Sequence, residues 1–260
     1  MPIDFHDDDN SFTYASREAD SSWLGAMTEL TEPQDKTVYD IACGGGIYTR
    51  AWSKLGAAQV VGVDFSEPNL RVAELQTSDP KISYLQADAL ATHLPDASAD
   101  LVFARALIHH IEDLPALFGE AARLLKPGGQ YLLQGRSHAD VREAASPQHL
   151  RGYLLELFPR LLAVETARRH SVAEIKTRLK QARFENVSST TLWERRKHYT
   201  DFEELALELR NRVGASILHE LSDGELEQLI SHLHDVLGKS VLGESPISVQ
   251  DPWTLWLAQK

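Results

Sequence analysis

The stretch VYDIACGGGIYTRAW, residues 38–52, decides the fold. An apolar run carrying a buried-looking acid, Asp40, leads through Ala42 and Cys43 into Gly44, Gly45 and Gly46, and a helical pattern follows at once. Glycine at a strand-to-helix turn permits positive φ and lets a ligand touch the main chain. Gly44 and Gly46 keep the first two positions of G-x-G-x-x-G, but Thr49 stands at the third. A dinucleotide fold uses that third glycine for close helix packing, and a phosphate-binding Walker loop needs Gly-Lys-Ser/Thr, so both phosphate-binding patterns fit poorly.

Outward from this turn the chain alternates strands and helices. TVYDIAC (37–43) reads as a buried strand, and the helix after it turns Ile47, Ala51, Trp52 and Leu55 inward. QVVGVD (59–64), KISYLQAD (81–88), ADLVFARA (99–106) and QYLLQG (130–135) are the next strands. Asp113 and Pro115 open an amphipathic helix with Leu114, Leu117, Phe118, Ala121, Leu124 and Leu125 on one face, stopped by Gly128 and Gly129. This rhythm implies right-handed crossovers, a parallel sheet and ligand binding beyond the carboxyl ends of the strands.

Later, Leu150, Tyr153, Leu154, Leu157, Phe158, Leu161 and Leu162 form one helical stripe, read as a lid or core helix. AEIKTRLKQARF (173–184) is a helix, NVSSTTLWE (186–194) a strand, and DPWTLWLAQK (251–260) a closing strand antiparallel to it. Capping boxes at Asp201/Glu204 and Ser222/Glu225 open two helices. The expected fold is therefore α/β: a Rossmann-like, doubly wound, mostly parallel seven-stranded sheet with an antiparallel last strand and helical cap insertions. The expected organisation is an N-terminal helical cap segment (1–36), a core (37–136), a lid (137–170), and the rest of the sheet (171–260) with a helical insertion at 200–245.

The 260 residues, 43% hydrophobic and 25% charged, suffice for one elaborated core. A net charge of -12 argues against broad capture of nucleic acid or an anionic membrane, which leaves small-molecule chemistry. The basic run ERRKHY (194–199) reads as a solvated strand end or crevice rim. The single cysteine, Cys43, rules out an intramolecular disulfide and fits a reducing compartment. The acidic N-terminus has no apolar signal-like region, and no apolar run has the length of a membrane helix, so the expected setting is cytoplasmic. The oligomeric state is not encoded in any motif.

Acids close the next two strands. Asp64 is suited to accept hydrogen bonds from a ribose diol, and Asp88 from an adenine amino group. Together DIACGGGIYT, VVGVDFS, YLQADAL, DLVFARALIHHIED and LLKPGGQYLL resemble class I S-adenosylmethionine-dependent methyltransferases, the group of type 11 and type 25 methyltransferase domains, over residues 37 to about 135. The resemblance implies the cofactor S-adenosyl-L-methionine and a role for each matching residue. Asp40 and the backbone of Ala42, Cys43 and Gly44 would hold the methionine portion, and Asp64 the ribose, with Phe65 beside the adenine. Asp88 and Ala89 would meet the adenine edge, and Ala104 with Arg105 would line the floor near the sulfonium. Tyr14 and Arg17 are candidates to bind the methionine carboxylate or cover the methyl group.

This chain departs from the family pattern twice. Ala42 replaces a common glycine, a change expected to add only a methyl group. Ala182-Arg183-Phe184 replaces Ala-Gly-Phe, which predicts a helix end without a left-handed cap.

For chemistry, His109 and His110 follow the fourth strand, and His110 matches the histidine that recurs in the family. Either it acts as a base or acceptor-orienting group, or it is a helix-start histidine bonded to backbone. Tyr14 is a further catalytic candidate. Adjacent histidines do not converge on one ion, so no metal site is expected. His219 is assigned to core or capping use, and Trp193, Trp253 and Trp256 to packing. Arg105, inside an apolar strand end, requires a carboxylate partner or an anionic ligand. The expected function is methyl transfer to a small molecule, at oxygen. The alternatives are an NAD-dependent oxidoreductase and a non-catalytic S-adenosylmethionine-binding subunit.

Overall fold

The computed structural model describes residues 18–213, 216–238 and 247–260. Tyr14 and Arg17 lie outside the described residues. In chain order, helix α1 (Ser21–Thr31) precedes β1 (Thr37–Ile41), α2 (Ile47–Lys54), β2 (Gln59–Asp64), α3 (Glu67–Leu75), β3 (Ile82–Gln86) and β4 (Ala99–Arg105). A 3₁₀ turn at Ile108–His110 leads to α4 (Leu114–Leu124) and β5 (Leu125–Gly135). Then come α5 (His138–Val141), α6 (Leu150–Leu157), α7 (Pro159–Ala167), α8 (Val172–Gln181) and β6 (Glu185–Tyr199). The described chain closes with α9 (Phe202–Arg210), a second 3₁₀ turn (Ser216–Glu220), α10 (Asp223–Gly238) and β7 (Ile247–Gln259).

The sheet is seven-stranded in the order β3-β2-β1-β4-β5-β7-β6, with β7 antiparallel to both neighbours and the other described pairs parallel. The order reverses between β1 and β4, so a crevice opens where their carboxyl ends diverge. Alternation along the strands supplies both faces of the core. Val38, Val60, Leu101 and Phe103 pack on Trp23 and Met27 of α1 and Trp52 of α2. Tyr39, Ile41, Val61, Val63 and Val102 face Leu117, Phe118 and Leu124 of α4 and Ile175 and Leu179 of α8.

A third cluster lies over the extended ends of β6 and β7. Tyr199, Ile247 and Val249 pack with Leu154 and Leu155 of α6, Leu161 of α7, Leu205 of α9 and Leu229 and Leu233 of α10. The cap helices thus share one apolar core of their own.

The structure corrects several sequence expectations. The stripe from Leu150 to Leu162 is two helices, because Pro159 has no N–H to continue α6 and instead starts α7. Leu125 opens β5 rather than closing α4. Strand β6 does not stop at Glu194 but runs through ERRKHY to Tyr199, paired with β7 as far as Ile247. The cations of that run have partners: Lys197 Nζ is 2.7 Å and Arg196 Nη2 2.9 Å from Glu208, and Arg195 Nη1 is 3.6 Å from Asp20. His219 is exposed and has no core role.

The end of α8 is a correction of a different kind. Arg183 takes φ 66°, with its N–H on Lys180 O at 3.0 Å and the Phe184 N–H on Leu179 O at 3.1 Å. That is a complete Schellman cap built on arginine, formed because burying Phe184 against the core outweighs the strain.

Candidate functional site

The turn after β1 uses the left-handed region repeatedly: Ala42 at φ 61°, Gly44 at 52° and Gly46 at 75°. Ala42 therefore does more than add a methyl group, since an alanine there costs about 1 kcal/mol or more relative to glycine. Gly46 has a second constraint, because a Cβ on it would sit 2.3 Å from the Tyr84 hydroxyl. Tyr84 also crowds Gly62 of β2, where a Cβ would meet its ring at 2.7 Å and Cys43 Sγ at 3.0 Å. The glycine inside VVGVD was the signal for this close approach. Burial pushes the Cys43 thiol up well above its ordinary value, so it stays protonated.

Loop and neighbouring strand are clamped together. The Gly44 N–H donates to Asp64 Oδ2 at 2.8 Å, the Ser66 N–H to Asp64 Oδ1 at 2.9 Å, and the Cys43 N–H to Val63 O at 3.0 Å. Burial raises the Asp64 pKa, and these N–H bonds oppose the shift. Asp40 is 1% exposed and accepts from the Thr49 hydroxyl at 2.6 Å. Desolvation pushes its pKa up to about 7, with the Asp64 charge adding to the shift while Thr49 and Arg105 oppose it. Thr49 thus fills the place of a missing glycine with a donor for the buried acid.

Parallel register brings the acids to adjacent strand ends: Ile41 lies beside Val63, and Asp64 beside Gln86. Asp88, just past β3, is exposed and accepts the Leu90 N–H at 2.9 Å. Phe65 is 50% exposed next to it, and Ala89 is half-buried. Asp40 near the end of β1, Asp64 at the end of β2 and Asp88 just past β3 therefore lie at the carboxyl ends of three neighbouring strands.

On the other side of β1, Arg105 finds the carboxylate its sequence position required. Arg105 Nη2 lies 2.9 Å from Glu194 Oε2 of β6, which also accepts from Gln134 at 2.8 Å, while the Tyr48 hydroxyl bonds Glu194 Oε1. Gln134 in turn accepts from Trp23 Nε1 at 2.9 Å. The guanidinium sits between Tyr48, 4.5 Å from the ring centre, and Trp253, 4.2 Å from it. Ala104 is fully buried.

Trp253 carries a second arginine, Arg136, 4.5 Å from its ring centre. Packing alone explains Trp256, which is 0% exposed, but not Trp253, whose ring is shared by two cations. Arg136 Nη2 is 2.8 Å from Asp251 Oδ2, and His149 Nδ1 is 3.3 Å from the other oxygen. Beyond them Arg169 and Arg151 share Glu165 at 2.9 and 3.4 Å.

His109 and His110 occupy the 3₁₀ turn after β4, with ring centres 3.9 Å apart. His110 is exposed. Desolvation by the surrounding chain and the charges of Arg169 and Arg168 lower its pKa from the ordinary 6.5. His109 is more enclosed, and desolvation together with Arg169, His110, Arg136 and Arg168 pushes its pKa down to about 2. Both imidazoles are held neutral beside a field of arginines. Among the described residues, no group of three His, Cys, Asp or Glu side chains is placed to hold a metal ion, and no helix is long and apolar enough to cross a membrane.

Residues 39–133 match the family model described as a methyltransferase domain. A ubiquinone biosynthesis O-methyltransferase of Paracidovorax citrulli is 37% identical over 111 residues, covering 41% of this chain and 46% of the relative. The match thus spans about half the length of the curated relative. A proposed methyltransferase from an antibiotic biosynthesis pathway of Anabaena variabilis superposes with a TM-score of 0.69 at 20% identity, over 93% of this chain and 98% of that one. Phosphoethanolamine N-methyltransferase 2 of Haemonchus contortus, solved with S-adenosyl-L-methionine, gives 0.62 at 22% identity over 99% of this chain and 60% of that one. At these identities the solved structures establish the shared fold. Residues 39–133 are thus similar to a methyltransferase domain, the kind of domain that the motifs of the sequence resemble.

Proposed function

We propose that the chain is an S-adenosylmethionine-dependent methyltransferase that methylates a small molecule at oxygen. The observation that carries this reading is the rim of acids beside the glycine turn. Asp64 is fixed by the Gly44 and Ser66 N–H groups, and Asp40 is buried with Thr49 as its hydrogen-bond donor. A buried carboxylate pushed up to about 7 is suited to a cationic ligand group, since a nearby positive charge restores its ionised form. The chemistry of the donor set fits an amino-acid ammonium at Asp40, a ribose at Asp64 and an adenine near Phe65, Asp88 and Ala89. Oxygen as acceptor is supported by the relative's name.

When bound, the cofactor supplies a methyl group activated by a sulfonium. The chain's own task is then alignment, which is worth about 7–11 kcal/mol in favourable cases. The backbone at Ala42, Cys43 and Gly44 and the end of β4 at Ala104 and Arg105 line the methionine side in this reading. His110, exposed and held neutral, takes the proton from an oxygen acceptor at a ring nitrogen, and His109 buttresses it. In this reading the N-terminal segment 1–36 and segments 137–170 and 200–245 supply the acceptor pocket, while Tyr14 and Arg17, outside the described residues, are candidates for the methionine carboxylate or the methyl group. The net charge of -12 disfavours nucleic acid as acceptor, and a single buried thiol suits the cytoplasm.

Calorimetric titration with S-adenosylhomocysteine and with NAD tests the cofactor, and transfer of a labelled methyl group to a phenol panel tests the activity. Binding of NAD without S-adenosylhomocysteine overturns the reading in favour of an oxidoreductase. S-Adenosylhomocysteine binding without transfer points to a non-catalytic subunit.

A further inference from the structure

Three arginines converge from three separate elements on the acceptor side of the histidine turn. Arg136 follows β5, Arg151 lies on α6 and Arg169 follows α7. Their side chains are 6%, 13% and 9% exposed. Against these cations stand the carboxylates of Asp251 and Glu165, so the buried group carries one positive charge in excess. A buried charge without a counter-charge is costly, and long guanidinium stems are not drawn together without a reason.

The donors point the same way. Arg136 Nη1, Arg151 Nε and Arg169 Nε are buried and have no hydrogen-bond partner among the described residues. Glu165 Oε1 is also unpartnered, and a small rotation can satisfy one of the three. Two donors remain on a group with surplus positive charge. The arginines also feel one another: desolvation, then Arg136, then Arg169 among other charges, lower the Arg151 pKa to about 10. An anion would satisfy the donors and the charge together, and guanidinium forks match carboxylate and phosphate oxygens.

The position ties this group to the reaction. Arg136 shares the Trp253 ring with Arg105 at the end of β4, and Arg169 acts electrostatically on both His109 and His110. Building on the methyltransferase reading, we propose that the acceptor is an anion whose carboxylate or phosphate group is held by Arg136, Arg151 and Arg169, with its nucleophilic atom directed to the His109–His110 turn.

Two measurements on the full chain test this. The first is thermal stability at matched ionic strength in chloride, acetate and inorganic phosphate, each with and without S-adenosylhomocysteine. The expected result is a higher midpoint in acetate or phosphate than in chloride, and the stronger of the two names the oxyanion. The second is transfer of a labelled methyl group to catechol, 3,4-dihydroxybenzoate and 3,4-dihydroxyphenyl phosphate. An anionic member should have a KM at least about tenfold below that of catechol, and Arg151→Gln should remove that advantage while S-adenosylhomocysteine still binds. If Arg151→Gln does not fold, Arg169→Gln takes its place, and the ion series on the unaltered protein stands by itself. Equal midpoints in all three salts, or an equal KM for catechol and the anionic acceptors, overturn the proposal. Loss of S-adenosylhomocysteine binding by the unaltered protein instead overturns the methyltransferase reading.

Discussion

Thr49 donates its hydroxyl to Asp40 at 2.6 Å, and both side chains are buried at the mouth of the glycine turn. The residue that breaks the dinucleotide pattern is thus the hydrogen-bond donor to the buried acid of β1. The folded pKa of Asp40, about 7, lies above its ordinary 3.8, so folding favours its protonated form. Its contribution to stability is complete below 3.8 and is lost as pH rises through about 7. Asp40→Asn should therefore melt higher than the unaltered protein at pH 8 without ligand, and bind S-adenosylhomocysteine at least about tenfold more weakly. Scanning calorimetry and titration calorimetry across pH 6–9 check both, and a variant that melts lower at pH 8 contradicts the assignment.

His110→Ala should lower kcat by about 100-fold or more and leave S-adenosylhomocysteine affinity unchanged. The lowered His110 pKa keeps the imidazole neutral, and hence able to take a proton, to a more acidic pH than a free histidine. The acid limb of the kcat/KM profile is expected to have its midpoint below 6.5. Unchanged turnover in the variant removes His110 from the mechanism.

Glu194→Gln leaves Arg105 without its counter-charge between two aromatic rings. A destabilisation of about 3–5 kcal/mol is expected by chemical denaturation, and adding Arg105→Met should recover most of it. Failure of the double variant to recover would place the effect in the bonds to Tyr48 and Gln134 instead.

Arg183→Gly should stabilise the protein by about 1 kcal/mol, because the left-handed cap of α8 is already formed and glycine adopts it without strain. Denaturation midpoints at an unchanged m-value measure it. A loss of stability would mean that the arginine side chain supplies more than its backbone strain removes.

The alternation of strands and helices, the acids at successive strand ends and the amphipathic α4 are legible in the sequence because each follows a local period or a fixed offset. Leu114, Leu117, Phe118, Ala121 and Leu124 are buried as their spacing requires. The left-handed conformations of Ala42 and Arg183 are not legible in the sequence, because side-chain identity weakly constrains a turn that tertiary packing imposes. The cluster around Arg136 and Asp251 joins residues 115 apart in sequence, and Arg151 and Glu165 meet across the break at Pro159. Such pairs leave no periodic trace. For Trp253, strand periodicity was correct but uninformative, since it places the ring on a face without saying that two guanidinium groups share it.

That shared ring has a thermodynamic consequence. Arg105, over the Trp253 ring, also reaches Tyr48 at the start of α2, and Arg136, over the same ring, reaches Asp251. A ligand that displaces the indole from either arginine changes the contacts available to the other. Any resulting gain or loss in affinity must be equal in both directions, so the order in which two ligands enter cannot alter their joint binding free energy.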